Sequence, residues 1–203
     1  MAQKILKHCA RALSFALHPY VLPIYWMTLL LTQTSLARLS LEVREVLIHC
    51  VVCFAVIVPS MLVAFLYTTC EIFHKKLPKM RMVALVIALV CYCKGVYELH
   101  AWPAIEFLYK YMLGSAYGIL FCLVVSLECK ISVYMTAMGG FVALLLVLNI
   151  LGVSQLFPWL IGCILATGLL ASARLYLGAH HPKQMLVGFL GGFVIMLIAL
   201  LFL

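Results

Sequence analysis

The chain contains no aspartate. All six of its acids are glutamates, at positions 42, 45, 71, 98, 106 and 128, so carboxylates are scarce along its 203 residues. Charge of either sign is sparse: Asp, Glu, Lys and Arg make up 10% of the sequence, where a soluble domain carries about a quarter. That excludes a water-soluble globule. Also missing are any RNA- or DNA-binding signature and a second Cys/His pair at metal-ligand spacing to accompany Cys50-x-x-Cys53. The nine cysteines, most of them inside apolar runs, then read as small buried hydrophobes and not as a disulfide framework or zinc site.

What fills the chain is hydrocarbon. Apolar residues make up 67% of it, and mean hydropathy is +1.20. Leu-, Val- and Ile-dense runs recur at roughly the ~20-residue length that crosses a bilayer as a helix. They predict an all-α, polytopic transmembrane helical bundle of six to seven spans, forming a single integral membrane domain over 1–203. Punctuation places seven candidates near 12–37, 43–69, 80–98, 106–128, 132–153, 156–177 and 182–203. Pro19 and Pro23 predict a kink in the first. Lys4, Lys7 and Arg11 resemble the head of a secretory signal, but the run behind them is too long for a signal core and reads as a retained span. Gly114-x-x-x-Gly118, Gly188-x-x-x-Gly192 and Gly139-Gly140 have the small-residue spacing that lets helices approach in lipid. Trp26, Trp102, Trp159, Tyr109 and Tyr111 read as interface anchors.

Bases outnumber acids 14 to six, for a formal charge of +8. They sit in short connections between apolar runs, which points to anionic lipid headgroups and not to nucleic acid. Seven spans put Lys4, Lys7, Arg11, Lys75, Lys76, Lys79, Arg81, Lys130, Arg174 and Lys183 on one face, and Arg38, Arg44, Lys94 and Lys110 on the other. The positive-inside rule makes the first face cytoplasmic. Three polar clusters, 74–81, 130–134 and 172–184, fall at span ends on that face, because two spans separate each from the next. One such cluster would be ordinary snorkelling of Lys and Arg. Three that converge predict a site.

The third cluster reads Ser172-Ala173-Arg174-Leu175-Tyr176-Leu177-Gly178-Ala179-His180-His181-Pro182-Lys183-Gln184. Its Arg-x5-His-x3-Gln spacing, with Gly188 beyond, resembles the third signature of the type 2 phosphatidic acid phosphatase superfamily, which ends in Asp. The second cluster, Lys130-Ile131-Ser132-Val133-Tyr134 running on to Gly139-Gly140, resembles the middle signature, a Ser and then a His at the head of a helix. With its His18-Pro19…Pro23 opening, the whole chain is similar to a divergent branch of small bacterial members resembling those of Bacteroidetes. That branch has His where Tyr134 stands, and Gln at the end of the third motif. Lys75-Lys76-Leu77-Pro78 is a weak counterpart of the first signature and lacks its far Lys.

The resemblance implies a chemistry. His180 would attack phosphorus, Gln184 would orient its ring, and Tyr134 stands where an acid protonates the leaving group. Arg174, Lys130, Ser132, Lys76 and His181 would hold the phosphate. No metal or other cofactor is implied. The residue types suit these roles: guanidinium grips phosphate in bidentate geometry, and neutral imidazole is a nucleophile near pH 7. A helix starting near Ser132 would aim free N–H groups at an anion.

Two departures argue against full activity. Gln184 brings no charge; in a serine-protease triad, exchanging Asp for Asn costs about 10⁴ in turnover. Tyrosine, with an ordinary pKa of ~10 against ~6.5 for histidine, is a poor proton donor. A diphosphate would need least help, since its leaving group is already a phosphate. The expected partner is a phosphorylated membrane lipid of the polyprenyl diphosphate, lipid A or phosphatidate class, and the expected setting is a bacterial inner membrane. The alternative is a catalytically impaired pseudoenzyme, a lipid-binding or scaffold subunit with a membrane-protein partner or a second copy of itself. A transporter ranks third, since paired intramembrane charges and a broken midplane helix are not evident.

Overall fold

The computed structural model describes residues 2–33, 41–72, 80–102 and 106–202, except the side chains of 2, 3, 67, 69–72 and 154. Lys75, Lys76 and Lys79 therefore lie outside the described residues. Within them the chain is helical, with no strand. The order is α1 (Ala2–Ala16), α2 (Leu22–Gln33), α3 (Leu41–His49), α4 (Val58–Ile72), α5 (Met80–His100), α6 (Glu106–Glu128), α7 (Val133–Ile150), α8 (Phe157–Tyr176) and α9 (Pro182–Phe202). A π-helical stretch, Cys50–Ile57, fuses α3 and α4 into one rod. It lies just ahead of Pro59, whose ring donates no hydrogen bond and crowds the carbonyl of residue 55. The Val58 N–H accordingly bonds to the Cys53 carbonyl, five residues back.

Among the described residues, six rods are long and apolar enough to cross a membrane: Leu41–Leu66, Met80–His100, Glu106–Glu128, Val133–Ile150, Phe157–Tyr176 and Pro182–Phe202. Their outer faces present Val90, Leu165, Leu169 and Leu186 uncovered. Water penalises such a surface and lipid does not, so this is an integral membrane bundle. The helix α7 is its axis, with 61% of its span buried against 28–33% for the other five.

The predicted first span, 12–37, is not one helix. Pro19 keeps His18 out of helical conformation, and the His18 carbonyl accepts the N–H groups of Val21 (2.8 Å) and Leu22 (3.2 Å) to close a turn. Ahead of the break, α1 packs on α8 and exposes Lys4, Lys7 and Arg11 beside Ile5, Leu6 and Phe15. That mixture belongs to a helix lying in the interface. Behind it, α2 has 12 residues, about 18 Å of helix, too short to span. It tucks against the π-helical stretch and α7.

This placement corrects two anchors. Trp26 is 1% exposed, and its ring stacks obliquely on buried Tyr111 at 4.2 Å. Both lie in the core because α2 runs inside the bundle. Trp102 and Tyr109 are half-buried against that core. Trp159, 52% exposed at the head of α8, stands as an anchor should.

The glycine pairs divide. A Cβ on Gly139 would collide with the Phe189 carbonyl, and one on Gly192 with the Thr136 carbonyl, so α7 and α9 touch backbone to backbone. On Gly188 it would come within 2.9 Å of the Ser132 carbonyl, and on Gly114 within 2.8 Å of Ala199 Cβ. Gly118 departs from the expected close contact: its Cβ would meet nothing within 4 Å. It faces a cavity.

Candidate functional site

The Arg-x5-His-x3-Gln spacing is the covalent length of a helix stop joined to a helix start. Gly178, at φ +63°, ends α8 in the left-handed region that favours glycine. Its N–H bonds to the Leu175 carbonyl (2.9 Å), and the Ala179 N–H to the Arg174 carbonyl (3.1 Å), the paired bonds of a Schellman motif. The next helix starts four residues after Gly178, with Pro182 at its first position. Gln184 reaches back so that its Oε1 accepts the His181 N–H at 3.2 Å, one half of a capping box. These two caps hold Arg174 and His180 at fixed places on one turn. Gly152, at φ +92°, ends α7 by the same device.

Gln184 Oε1 also lies 3.4 Å from Nδ1 of His180, a long contact. An amide oxygen only accepts, so Nδ1 carries the ring proton and Nε2 keeps its lone pair. Burial drives the His180 pKa down to about 4; the Gln184 contact opposes this, and the charges of Arg174, Lys130 and Arg81 add to it. The imidazole is therefore neutral at physiological pH. In an NMR titration of ring-labelled histidine, His180 should protonate near pH 4 and hold its neutral signature through pH 6.5. Titration at the ordinary histidine value would show that the ring is not buried beside those cations.

The second cluster opens α7. Ser132 precedes it in extended conformation with no side-chain capping bond. Its carbonyl accepts the Thr136 N–H at 3.0 Å. The Ser132 hydroxyl is fully buried and has no partner among the described residues, and it does not line the cavity. Tyr134 does, and its ring face carries the Arg174 guanidinium, Cζ 4.3 Å from the centroid. Such a contact contributes about 0.5–2 kcal/mol, rising with desolvation. Tyr134 thus serves Arg174 with its ring, whatever its hydroxyl does.

Two residues to which the sequence assigns no individual role join the site. Arg81, first turn of α5, donates from Nη2 to the Ile131 carbonyl and ties the 129–132 turn to that helix. His18 sets its ring edge-on to Tyr134 at 5.3 Å. Its Nδ1 accepts the Tyr20 N–H at 3.3 Å, leaving Nε2 as the donor. Burial first, then Arg174, lowers the His18 pKa. The basic cluster at 74–81 and the two prolines hinted at both residues, but neither has a spacing signature.

His18, Arg81, Lys130, Tyr134, Arg174 and His180 line one cavity of about 590 Å³. His181 and Lys183 are exposed outside it, and Lys76 is not among the described residues. None of the described lining residues is acidic, and the ion pairs found, Lys94–Glu98 and Lys110–Glu106, lie elsewhere. The Arg174 Nε is buried without a partner. Cations gathered at one pocket, with no carboxylate among its described lining residues, suit an anion. No known protein family, curated protein or solved structure matches the chain.

Proposed function

We propose that this protein binds the phosphate of a phosphorylated membrane lipid and transfers it through His180, as a lipid-phosphate phosphatase-like hydrolase. The observation that carries the reading is the meeting of Arg81, Lys130 and Arg174 with a neutral imidazole at one cavity, with no acid among the described lining residues. In this mechanism Nε2 forms a bond to phosphorus while the bond from phosphorus to the lipid oxygen breaks. Water then attacks the phosphohistidine, releasing inorganic phosphate and restoring the imidazole. Arg174 and Lys130 spread the charge on the phosphoryl oxygens, so catalysis is positioning plus electrostatics. The resemblance of the motifs adds a bacterial inner membrane as the setting.

None of the described lining residues is a strong acid for an alkoxide leaving group, so a diphosphate lipid is the favoured substrate. The test is phosphate release by purified protein from a polyprenyl diphosphate and from phosphatidate. Release should be faster from the diphosphate and abolished in His180→Ala. A second reading, lipid binding without turnover, is favoured by the engagement of Tyr134 under Arg174 and by the uncharged Gln184. It predicts no release from either lipid, with phosphorylated lipid co-purifying with wild type and not with Arg174→Ala.

A further inference from the structure

The site does not end at its cations. Below them the same cavity continues between α5, α6, α7 and α9 as an apolar slot, floored by Tyr92 and Tyr111. Its depth follows from two antiparallel helices. From Arg81 to Tyr92 on α5, and from Cys122 to Tyr111 on α6, the lining descends eleven residues, about 16 Å at helical rise. That is about half of the ~30 Å hydrocarbon core of a bilayer, the depth of one leaflet. Two glycines line it: Gly140 on α7, where a Cβ would touch Met196 at 3.5 Å, and Gly118 on α6, where a Cβ would meet nothing within 4 Å. The volume falls among those of small-molecule sites, ~300–1,000 Å³.

We infer that this slot receives the hydrocarbon chain of the same amphiphile whose phosphate the rim holds, drawing the chain out of the bilayer into the bundle. The inference rests on the phosphate reading of the rim. Its argument is complementarity at both ends: cations where an anionic head would sit, and apolar walls one leaflet deep where its tail would lie. A chain lying on the lipid-facing surface needs no such slot, since surrounding lipid already solvates it. A slot between helices gives the protein selectivity for chain length and branching that an outer surface lacks.

Gly118 makes the test clean, because a Cβ there meets nothing within 4 Å, so a larger residue projects into the slot. The probes are dodecyl phosphate and butyl phosphate, titrated by ³¹P NMR into protein held in phosphatidylcholine nanodiscs. Wild type should bind dodecyl phosphate at least about tenfold more tightly than butyl phosphate, through the added apolar burial. Gly118→Leu should erase that preference while leaving butyl phosphate binding within about twofold. Gly168→Leu, at an open position on α8 away from the cavity, should keep it. A wild type that binds both probes equally, or a Gly118→Leu protein that still prefers dodecyl phosphate, would overturn the inference. If Gly118→Leu loses both probes, Gly118→Ala decides: a selective weakening of dodecyl phosphate supports the slot, and an equal loss of both overturns it. Failure of wild type to bind even butyl phosphate would instead overturn the phosphate reading of the rim, and this inference with it.

Discussion

Gly192→Val is expected to leave no folded protein. The Cβ would overlap the Thr136 carbonyl, and a backbone atom cannot rotate aside as a side-chain end can. The axis helix and the last helix would have to separate along their whole contact. Ordinary overpacking costs about 1–3 kcal/mol; forcing two backbones apart should exceed that, against total stabilities of ~5–15 kcal/mol. Size-exclusion chromatography of detergent-solubilised protein should show aggregate in place of a single peak. Gly162→Val, on α8 where a Cβ meets nothing within 4 Å, should elute as wild type. A monodisperse Gly192→Val protein would show that the two helices are not in contact.

Arg174→Ala should have the largest effect on phosphate binding. Hydrogen bonds to charged groups contribute about 1.5–3 kcal/mol each, and a bidentate guanidinium makes two. Affinity for a phosphorylated ligand should fall about a hundredfold or more. Arg174→Lys should recover little of it, because an ammonium offers neither the planar fork nor the same stacking on Tyr134. Titration of butyl phosphate into each variant measures this. Full binding by the lysine variant would mean that charge alone suffices and that the Tyr134 platform is idle.

Much of the architecture is legible before any coordinates. The stretches 80–98, 106–128, 156–177 and 182–203 match α5, α6, α8 and α9 to within a few residues, because each has a polar or prolyl stop and a long apolar run between. The meeting of 130–134 with 172–184 is legible as well. It needs only parity: an even number of crossings returns the chain to the same face. The N-terminal region is harder to read. Hydropathy sums over 12–37 without registering that the His18-Pro19 break leaves helices too short to cross, so one span was expected where an interfacial helix and a short buried one stand. Trp26 and Tyr111 carry the composition of anchors, and only the tertiary path of α2 turns them inward. His18 reaches Tyr134 across more than a hundred residues of chain, and no local spacing encodes such a contact. Ser132 shows the opposite failure. Its motif position suggests a ligand hydroxyl, yet that hydroxyl is fully buried and outside the cavity lining.

The double attachment of Gln184, to the His181 amide and to the His180 ring, ties readiness to assembly. Until α9 winds and seats, Gln184 cannot steer the imidazole, and a nascent chain still threading into the bilayer holds only a loose, solvated histidine. The phosphoryl chemistry proposed for this site would thereby be confined to the finished molecule.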